Sequence, residues 1–351
     1  AYPVAGFELN FAWQTWFFAP DAEDAGRALM TAWIRQLRDI VRQSGENRQL
    51  AVRVPASISA CHAIGLDVGQ WIAEGLVDIV TGQTFPGSEL VDCNADFSSL
   101  VAAAQGTGTH VLGCVNSLVD SDRMGQGTIE VIRACASNAW AQGVDGLYLG
   151  HWFGLWPYEA DFYEKLRELP YPEVMAPKDK QYYAATATGR TAEPVPGPGG
   201  TRQLPVTLAT DGAVDVELRI ADDLSLWTDR VHEVLLRLRL MNWTEDDHCA
   251  IRLNDAPLPT EVLRRINETY RMKQPRFRAG SGYWFVYHLP LSHWPVAGTN
   301  AIRVELCTRA ADVLPPVILR DVECEIRYLR GQAFHRDFVD PDLGGTSSDN
   351  M

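Results

Sequence analysis

The 351-residue chain contains 46% hydrophobic and 22% charged residues, which is enough apolar material for packed cores and excludes a mainly disordered chain. Its 31 Lys and Arg against 45 Asp and Glu give a net charge of −14, so we expect no nucleic-acid partner, because a phosphate backbone needs a basic face. No run of about 18 apolar residues is present, so no membrane span is predicted. The length suggests two domains.

The first half of the chain alternates between short apolar segments and segments with helical spacing. The apolar segments are bounded by Gly, Pro or polar residues and are predicted to be strands at 4–11, 50–54, 77–81, 110–116 and 147–150. The predicted helices lie at 24–43, 67–74, 97–105, 128–142 and 160–168. Strands that alternate with helices of this length predict βα units and a parallel sheet.

A weak internal repeat favours a (β/α) barrel of the TIM type over a dinucleotide-binding sheet. Residues 4–9 and 144–149 share the pattern V-x-G-(F/L)-x-L, as expected of repeated βα units. No G-x-G-x-x-G follows any predicted strand, so dinucleotide binding is not indicated. We therefore predict no cofactor.

A Pro- and Gly-rich segment, TAEPVPGPGG at 191–200, has the composition of a linker. Seven short strands are predicted after it, at 204–208, 214–220, 234–241, 249–253, 283–289, 301–307 and 322–328. Such a series is typical of an antiparallel β-sandwich. The predicted organisation is a (β/α) barrel domain at 1–190, a linker at 191–203, a β-sandwich domain at 204–330 and a polar tail at 331–351.

The number of predicted parallel strands is too small for a complete barrel. A complete (β/α) barrel has about eight strands and typically about 250 residues, whereas the sequence shows five strands before the linker and a doubtful sixth at 182–186. The chain could be a fragment, a processed chain or a shortened barrel, and we expect the C-terminal five or six βα units. No signal-peptide pattern is present in these residues, and both an exported and a cytoplasmic location remain open.

The first predicted strand carries the best catalytic candidate. Active sites of parallel barrels lie at the C-terminal ends of the strands. Alternation along the FELNF segment places Glu8 and Asn10 on one face and the apolar residues on the other. If the apolar residues pack against helices, Glu8 faces the barrel interior and could act as a general acid/base. The alternative is a structural ion pair between Glu8 and a basic residue such as Arg53.

Two features near this strand suit a sugar ligand. The following loop carries Trp13 and Trp16, whose rings could stack on the apolar faces of sugars, although the loop could also form a hydrophobic seam. Arg53 lies near the end of the second predicted strand. It could hold Glu8, bind an anionic group of a substrate or form a purely structural ion pair.

Further candidates follow the fourth and fifth predicted strands. Asn116 ends the fourth strand, and Asp120 lies in the Asp-Ser-Asp segment after it. Asp120 could supply the second carboxylate that glycosidic cleavage canonically uses, although such a segment is also an ordinary solvated turn. The fifth strand leads into His151, Trp152 and Trp156, where a substrate could bind, although a single His is more often structural.

The sequence indicates neither a metal site nor a disulfide framework. The seven cysteines contain no C-x-x-C pair. His62 with Asp67, and the DDH segment at 246–248, match neither a zinc nor a calcium pattern. Cysteines within apolar segments are expected to be small buried side chains.

Several stretches together resemble one family. They are GFELNFAWQTWFF, LAVRVPAS, LDVGQWIAEGLVDIVTG, IEVIRACASNAWAQGVDGLYLGHWF, PKDKQYY, RQLPV, IADDL and VECEIRYLRG. Nearly the whole chain resembles the uncharacterised family-10-like glycosyl hydrolases of environmental bacteria such as planctomycetes and verrucomicrobia. The resemblance implies a (β/α)8 barrel followed by a β-sandwich, a carbohydrate substrate and about three βα units before Ala1.

The resemblance also bears on individual residues. Glu8 matches the Glu of the family, whereas Asn10 stands where members usually carry Asp, and Trp13 and Gln14 replace the usual Arg or His. An amide cannot act as a carboxylate base or nucleophile, so Asn10 weakens the case for a two-carboxylate site.

The sequence leaves three functional hypotheses. The first is a glycoside hydrolase with Glu8 as general acid/base and Asp120 as second carboxylate. Its proposed substrate-binding residues are Asn10, Trp13, Trp16, Arg53, Asn116, His151, Trp152 and Trp156. The second is a non-catalytic glycan-binding protein. The third is a structural protein, because a shortened barrel leaves strand edges that a homo-oligomer or a missing N-terminal segment would have to cover.

Overall fold

The computed structural model describes residues 3–12, 16–45, 47–84, 91–117, 128–150, 160–184, 203–210, 212–267, 282–313 and 315–329. These residues form two compact units. The first takes the described residues of 1–117 and 138–150, and the second takes those of 128–137, 160–184 and 203–329. Within these ranges, no helix has both the length and the apolar character needed to cross a membrane.

Five parallel strands form the sheet of the first unit. They are β1 (Gly6–Asn10), β2 (Gln49–Pro55), β3 (Ile79–Gln83), β4 (His110–Val115) and β5 (Gly146–Leu149). The helices are α1 (Glu23–Ser44), α2 (Ile58–His62), α3 (Val68–Ala73), α4 (Ser98–Ala104) and α5 (Ile129–Ala141), and the boundary between the units falls within α5. The strands pair in chain order from β1 to β5. The predicted parallel sheet of βα units is therefore confirmed.

Strand alternation directs one face of this sheet into a hydrophobic core. On β2, Leu50, Val52 and Val54 are buried, whereas Arg53 on the opposite face is only partly buried. The core also includes the fully buried Trp71 of α3. The predicted helices pack on the face that receives the apolar residues, which leaves the other face of the sheet for polar side chains.

Carboxylates connect neighbouring strands at the amino ends of the sheet. Asp78, just before β3, accepts the backbone N–H of Leu50 at 2.7 Å and pairs with Arg38 of α1. Asp145, just before β5, accepts the backbone N–H of Val111 at 2.7 Å. These acids hold the strands in register and lie at the end of the sheet opposite to the usual position of an active site.

The second unit contains two antiparallel sheets. Its elements are α6 (Ala160–Glu168), α7 (Pro172–Met175), β6 (Lys180–Tyr183), β7 (Val206–Thr207), β8 (Ala213–Ile220), β9 (Val231–Met241), β10 (His248–Leu253), β11 (Ala256–Pro257), β12 (Leu263–Asn267), β13 (Gly282–His288), β14 (Gly298–Thr308) and β15 (Ile318–Tyr328). One sheet has the order β11-β10-β14-β8. The other has the order β12-β13-β9-β15-β6, and β7 also pairs with β15.

The seven strands predicted after the linker are all present, and β11 and β12 are additional. The predicted tail at 331–351 and residues 191–202 of the predicted linker lie outside the described residues. The chain therefore combines α/β and antiparallel β structure, as predicted.

The prediction of a doubtful sixth parallel strand at 182–186 is wrong. The strand in this region is β6, which pairs antiparallel with β15, with Lys180 opposite Ile326. The residues Gln181, Tyr182 and Tyr183 suit any strand, and strand propensity alone does not specify the pairing partner.

A buried polar network holds β6 in the second sheet. The carboxylate of Asp222 accepts hydrogen bonds from Lys180 at 2.8 Å, from the Tyr182 hydroxyl at 2.5 Å and from the Tyr328 hydroxyl at 2.9 Å. The Lys180 ammonium also donates to the carbonyl oxygens of Ala176 and Lys178. All three protons of a lysine ammonium thus have acceptors, which is what burial of this charge requires.

Candidate functional site

The face of the β1–β5 sheet opposite the core carries the candidate site, and we call it the polar face. Each strand contributes a residue to it: Glu8 on β1, Arg53 on β2, Thr81 on β3, Cys114 on β4 and Tyr148 on β5. These positions alternate with the buried apolar residues on the same strands. Glu8 therefore lies on the face that the sequence predicts.

Glu8 contacts two neighbours on the polar face. Its Oε1 lies 3.7 Å from Nε of Arg53, and its side chain is 33% exposed. Tyr148 is the second neighbour, because after burial the negative charge of Glu8 is the main influence that raises the pKa of the Tyr148 hydroxyl. The predicted Glu8–Arg53 ion pair is thus present, and it leaves part of the carboxylate open to solvent.

The contacts of Tyr148 require a curved sheet. In a flat sheet β1 and β5 would be about 19 Å apart, since neighbouring strands are about 4.8 Å apart. The guanidinium carbon of Arg53, which pairs with Glu8 of β1, nevertheless lies 5.0 Å from the centre of the Tyr148 ring, and the negative charge of Glu8 also reaches Tyr148. The polar face is therefore concave, and side chains from its two outer strands meet above it.

The hydroxyl of Tyr148 and the thiol of Cys114 on the polar face both stay protonated at neutral pH. Burial raises the pKa of Tyr148, and the negative charge of Glu8 raises it further, so the hydroxyl acts as a hydrogen-bond donor at neutral pH. Burial raises the pKa of Cys114 to about 12. A thiol with so high a pKa is not an activated nucleophile. The reactive candidate on this face is therefore Glu8.

Both predicted asparagines lie at the carboxyl ends of strands, and Asn10 bonds the backbone there. The side-chain oxygen of Asn10 accepts the N–H of Ala12 at 2.9 Å, which closes the end of β1. Asn116 is buried just after β4, and its side-chain oxygen lies so close to Gly150 that a Cβ there would be only 2.4 Å away. A substrate-binding role for the two residues stays a prediction.

The aromatic segment after β1 divides into exposed and packed residues. Trp16 is 64% exposed, as a sugar-stacking ring would have to be. Phe17 instead packs edge-on against Phe11 at 5.5 Å between ring centres, and Phe18 lies against Gly26 of α1. The hydrophobic seam considered as an alternative is therefore formed by Phe17 and Phe18, and stacking by Trp16 stays a prediction.

Half of the predicted site residues lie outside the described residues. They are Trp13, Asp120, His151, Trp152 and Trp156. Their roles stay predictions.

The described residues contain no group of three or more His, Cys, Asp or Glu side chains that could hold a metal ion. Of the weak sequence candidates, Nε2 of His62 lies 3.5 Å from Asp67. Asp247 accepts the backbone N–H groups of Thr244 and Ala310, both at 2.7 Å. Asp247 thus has a structural role in the loop that begins after β9.

Sequence reasoning missed Tyr148, which joins Glu8 and Arg53. A signal was available, because Tyr148 stands between two leucines on β5, and Leu147 packs against the core. The alternation that assigned Glu8 to the polar face assigns Tyr148 to it as well. The contact itself was not accessible from the strand pattern, since it depends on the curvature of the whole sheet.

Comparison of the sequence with protein-family models finds no matching family, and comparison with curated proteins finds no match.

Proposed function

We propose that the protein is a carbohydrate-active enzyme of the glycoside-hydrolase type, with its site on the polar face and Glu8 as a catalytic carboxylate. The observation that carries the proposal is the position of Glu8. It projects from a strand of a curved parallel sheet, is held by Arg53 and Tyr148, and stays partly exposed. A carboxylate in such a position can exchange protons with a bound substrate or attack it.

The strand register supports the (β/α) barrel that this proposal includes. When the pairing register is followed from β1 through β2, β3 and β4, Glu8 aligns with Val144, which lies just before β5. Its actual neighbour Tyr148 lies four residues further along. In an eight-stranded barrel with a shear of about 8, residues at one height shift by about one residue per strand, or about four over four strands. The offset between Glu8 and Tyr148 is the one that this geometry requires.

The second unit is proposed to be a β-sandwich. Each of its sheets has a buried apolar stripe with period two, for example Val216, Leu218 and Ile220 on β8 and Leu236 and Leu238 on β9. Apolar sheet faces must be covered, and packing two sheets face to face about 10 Å apart covers both.

The neighbours of Glu8 indicate which catalytic role suits it. Arg53 and the Tyr148 hydroxyl are both hydrogen donors. Two donor neighbours suit a carboxylate that acts as a base or nucleophile better than a carboxylic acid that must give up its own proton. Glu8 is therefore proposed to act as the base or nucleophile of the general acid/base pair, with Asp120 as the proposed second carboxylate.

One observation favours a second candidate function, a glycan-binding protein without catalysis. Within the five described strands of the parallel sheet, Glu8 is the only carboxylate on the polar face. Canonical glycosidic cleavage uses two. If no second carboxylate acts with Glu8, the same face could still bind sugars through Arg53, Tyr148 and Trp16.

Glu8→Gln tests the catalytic proposal, because the amide keeps the shape of the side chain and removes its basicity. We expect wild type to release reducing sugar from at least one member of a polysaccharide panel. We expect Glu8→Gln to lower kcat about 10²- to 10⁴-fold. The matched control is Glu74→Gln, which removes a surface carboxylate paired with Arg35 at 2.6 Å, and it should leave turnover unchanged.

Two results would decide against the catalytic role. Unchanged turnover in a folded Glu8→Gln variant would remove Glu8 from the mechanism. Glycan binding by wild type without release of any product would favour the binding protein over the hydrolase.

A further inference from the structure

The polar face carries a second charged group whose bonding is incomplete. Arg53 lies near the carboxyl end of β2, and its side chain is 13% exposed. Its Nε is buried and has no hydrogen-bond partner within the described residues. The 3.7 Å separation from Glu8 is an ion pair but exceeds hydrogen-bond distance.

Nε of Arg38 and of Arg237 is also buried without a partner, but the terminal nitrogens of both residues bond carboxylates, whereas the Arg53 guanidinium makes no hydrogen bond within the described residues. A guanidinium has five N–H donors in a planar fork. In the described part of the chain, the Arg53 guanidinium forms an ion pair with the Glu8 carboxylate and lies over the Tyr148 ring, 5.0 Å from its centre. A cation–π contact attracts the charge of the guanidinium but does not provide a hydrogen-bond acceptor for its N–H groups.

We propose that Arg53 binds the carboxylate of an acidic sugar, so that the substrate class of this site is uronic-acid-containing glycans. This inference rests on the proposed carbohydrate site. A carboxylate matches the guanidinium fork with two parallel hydrogen bonds, which a sugar hydroxyl cannot do. Glu8 faces Nε and leaves the two terminal nitrogens for such a ligand.

The net charge of the protein disfavours an acidic glycan at long range. The net charge of −14 repels an acidic glycan at long range, although salt weakens this effect beyond about 8–10 Å. Selection for an acidic sugar must therefore come from a short-range contact, which Arg53 can provide. The adjacent Glu8 opposes the same ligand, so that removal of its charge should strengthen binding.

The test is calorimetric binding of three uronides, each compared with its own methyl ester. The probes are trigalacturonate, an oligomer of mannuronate and a glucuronate-containing tetrasaccharide of hyaluronan. Wild type is expected to bind at least one acid about tenfold or more tightly than its ester. Arg53→Gln should abolish this preference, and Arg53→Lys should retain part of it as a point charge.

Two further variants separate the alternatives. Arg35→Gln, which removes a surface arginine paired with Glu74, should keep the preference. Glu8→Gln should bind the acid more tightly than wild type does, and this measurement does not depend on whether an Arg53 variant folds.

The two proposals fail in different ways. If no acid is preferred over its ester, or if a folded Arg53→Gln variant keeps the preference, the acidic-sugar proposal is overturned, whatever the turnover of neutral glycans. If the preference depends on Arg53 but no product is released, the hydrolase fails and the acidic-sugar site stands.

Discussion

Replacing Asp222 by Asn should strongly destabilise the second unit. The Asp222 side chain is 5% exposed and that of Lys180 is 1% exposed, with 2.8 Å between the charged groups. Burial lowers the pKa of Lys180, and the charge of Asp222 opposes this. The amide would leave the ammonium without its bonded counter-charge and would offer two tyrosine hydroxyls one oxygen in place of two. Breaking a buried ion pair from one side typically costs about 3–5 kcal/mol.

A loss of this size lowers the melting temperature of a unit of about 200 residues by roughly 6–20 °C. The assay is denaturant unfolding followed by fluorescence of the buried Trp243 and Trp284 of the second unit. The matched control is Asp215→Asn, which breaks a surface pair with Arg303 at 2.9 Å and should cost no more than about 1 kcal/mol. The double variant Lys180→Met, Asp222→Leu should recover part of the loss, because it removes both charges.

The reasoning would be refuted if Asp222→Asn unfolded within about 1 kcal/mol of wild type, as the control is expected to do. In that case the bonded carboxylate would not be what stabilises the buried ammonium.

Two other predictions concern pH and packing. Burial works to raise the pKa of Glu168, but hydrogen bonds from Arg133 and Lys178 outweigh it and hold this pKa below its ordinary value. The stability that the ionised Glu168 contributes is present above about pH 4.3 and is lost as the pH falls through the folded-state pKa. The unfolding midpoint of Glu168→Gln should therefore decline less between pH 5 and pH 3 than that of wild type. Parallel plots of midpoint against pH for the two proteins would contradict this. Gly150→Ala would place a Cβ 2.4 Å from the side-chain oxygen of Asn116 and should cost about 1–3 kcal/mol. In Gly69→Ala of α3 the new Cβ would meet nothing closer than 3.9 Å, so this variant should instead stabilise the protein by about 0.5–1 kcal/mol. Denaturant unfolding measures both glycine variants, and similar shifts for the two would refute the packing argument.

The sequence was sufficient to predict the parallel sheet and the side of it on which Glu8 lies. Both follow from local geometry, since side chains alternate along any strand and apolar residues take the helix-covered face. The pairing of Glu8 with Arg53 was also foreseeable, because residues on neighbouring parallel strands with the same facing direction lie close together.

The sequence was not sufficient for the contacts that depend on the arrangement of several elements. Tyr148 reaches Glu8 because the sheet curves across five strands, and curvature is a property of the assembled sheet rather than of any one strand. Lys180 and Tyr182 belong to β6 in the second sheet because Asp222 accepts their hydrogen bonds. The local strand pattern does not show that Asp222, about 40 residues further along the sequence, is the partner of these residues.

The position of β6 limits where this chain can be divided. A cut within residues 191–202 would follow the Pro- and Gly-rich composition, yet it would separate β6 from β15, with which it pairs. The C-terminal piece would then keep a buried acid without its lysine and would expose the backbone of β15 along one side, a surface that invites association with other chains. A piece that keeps this unit intact must begin ahead of residue 128, so that it contains both β6 and Arg133, which pairs with the buried Glu168.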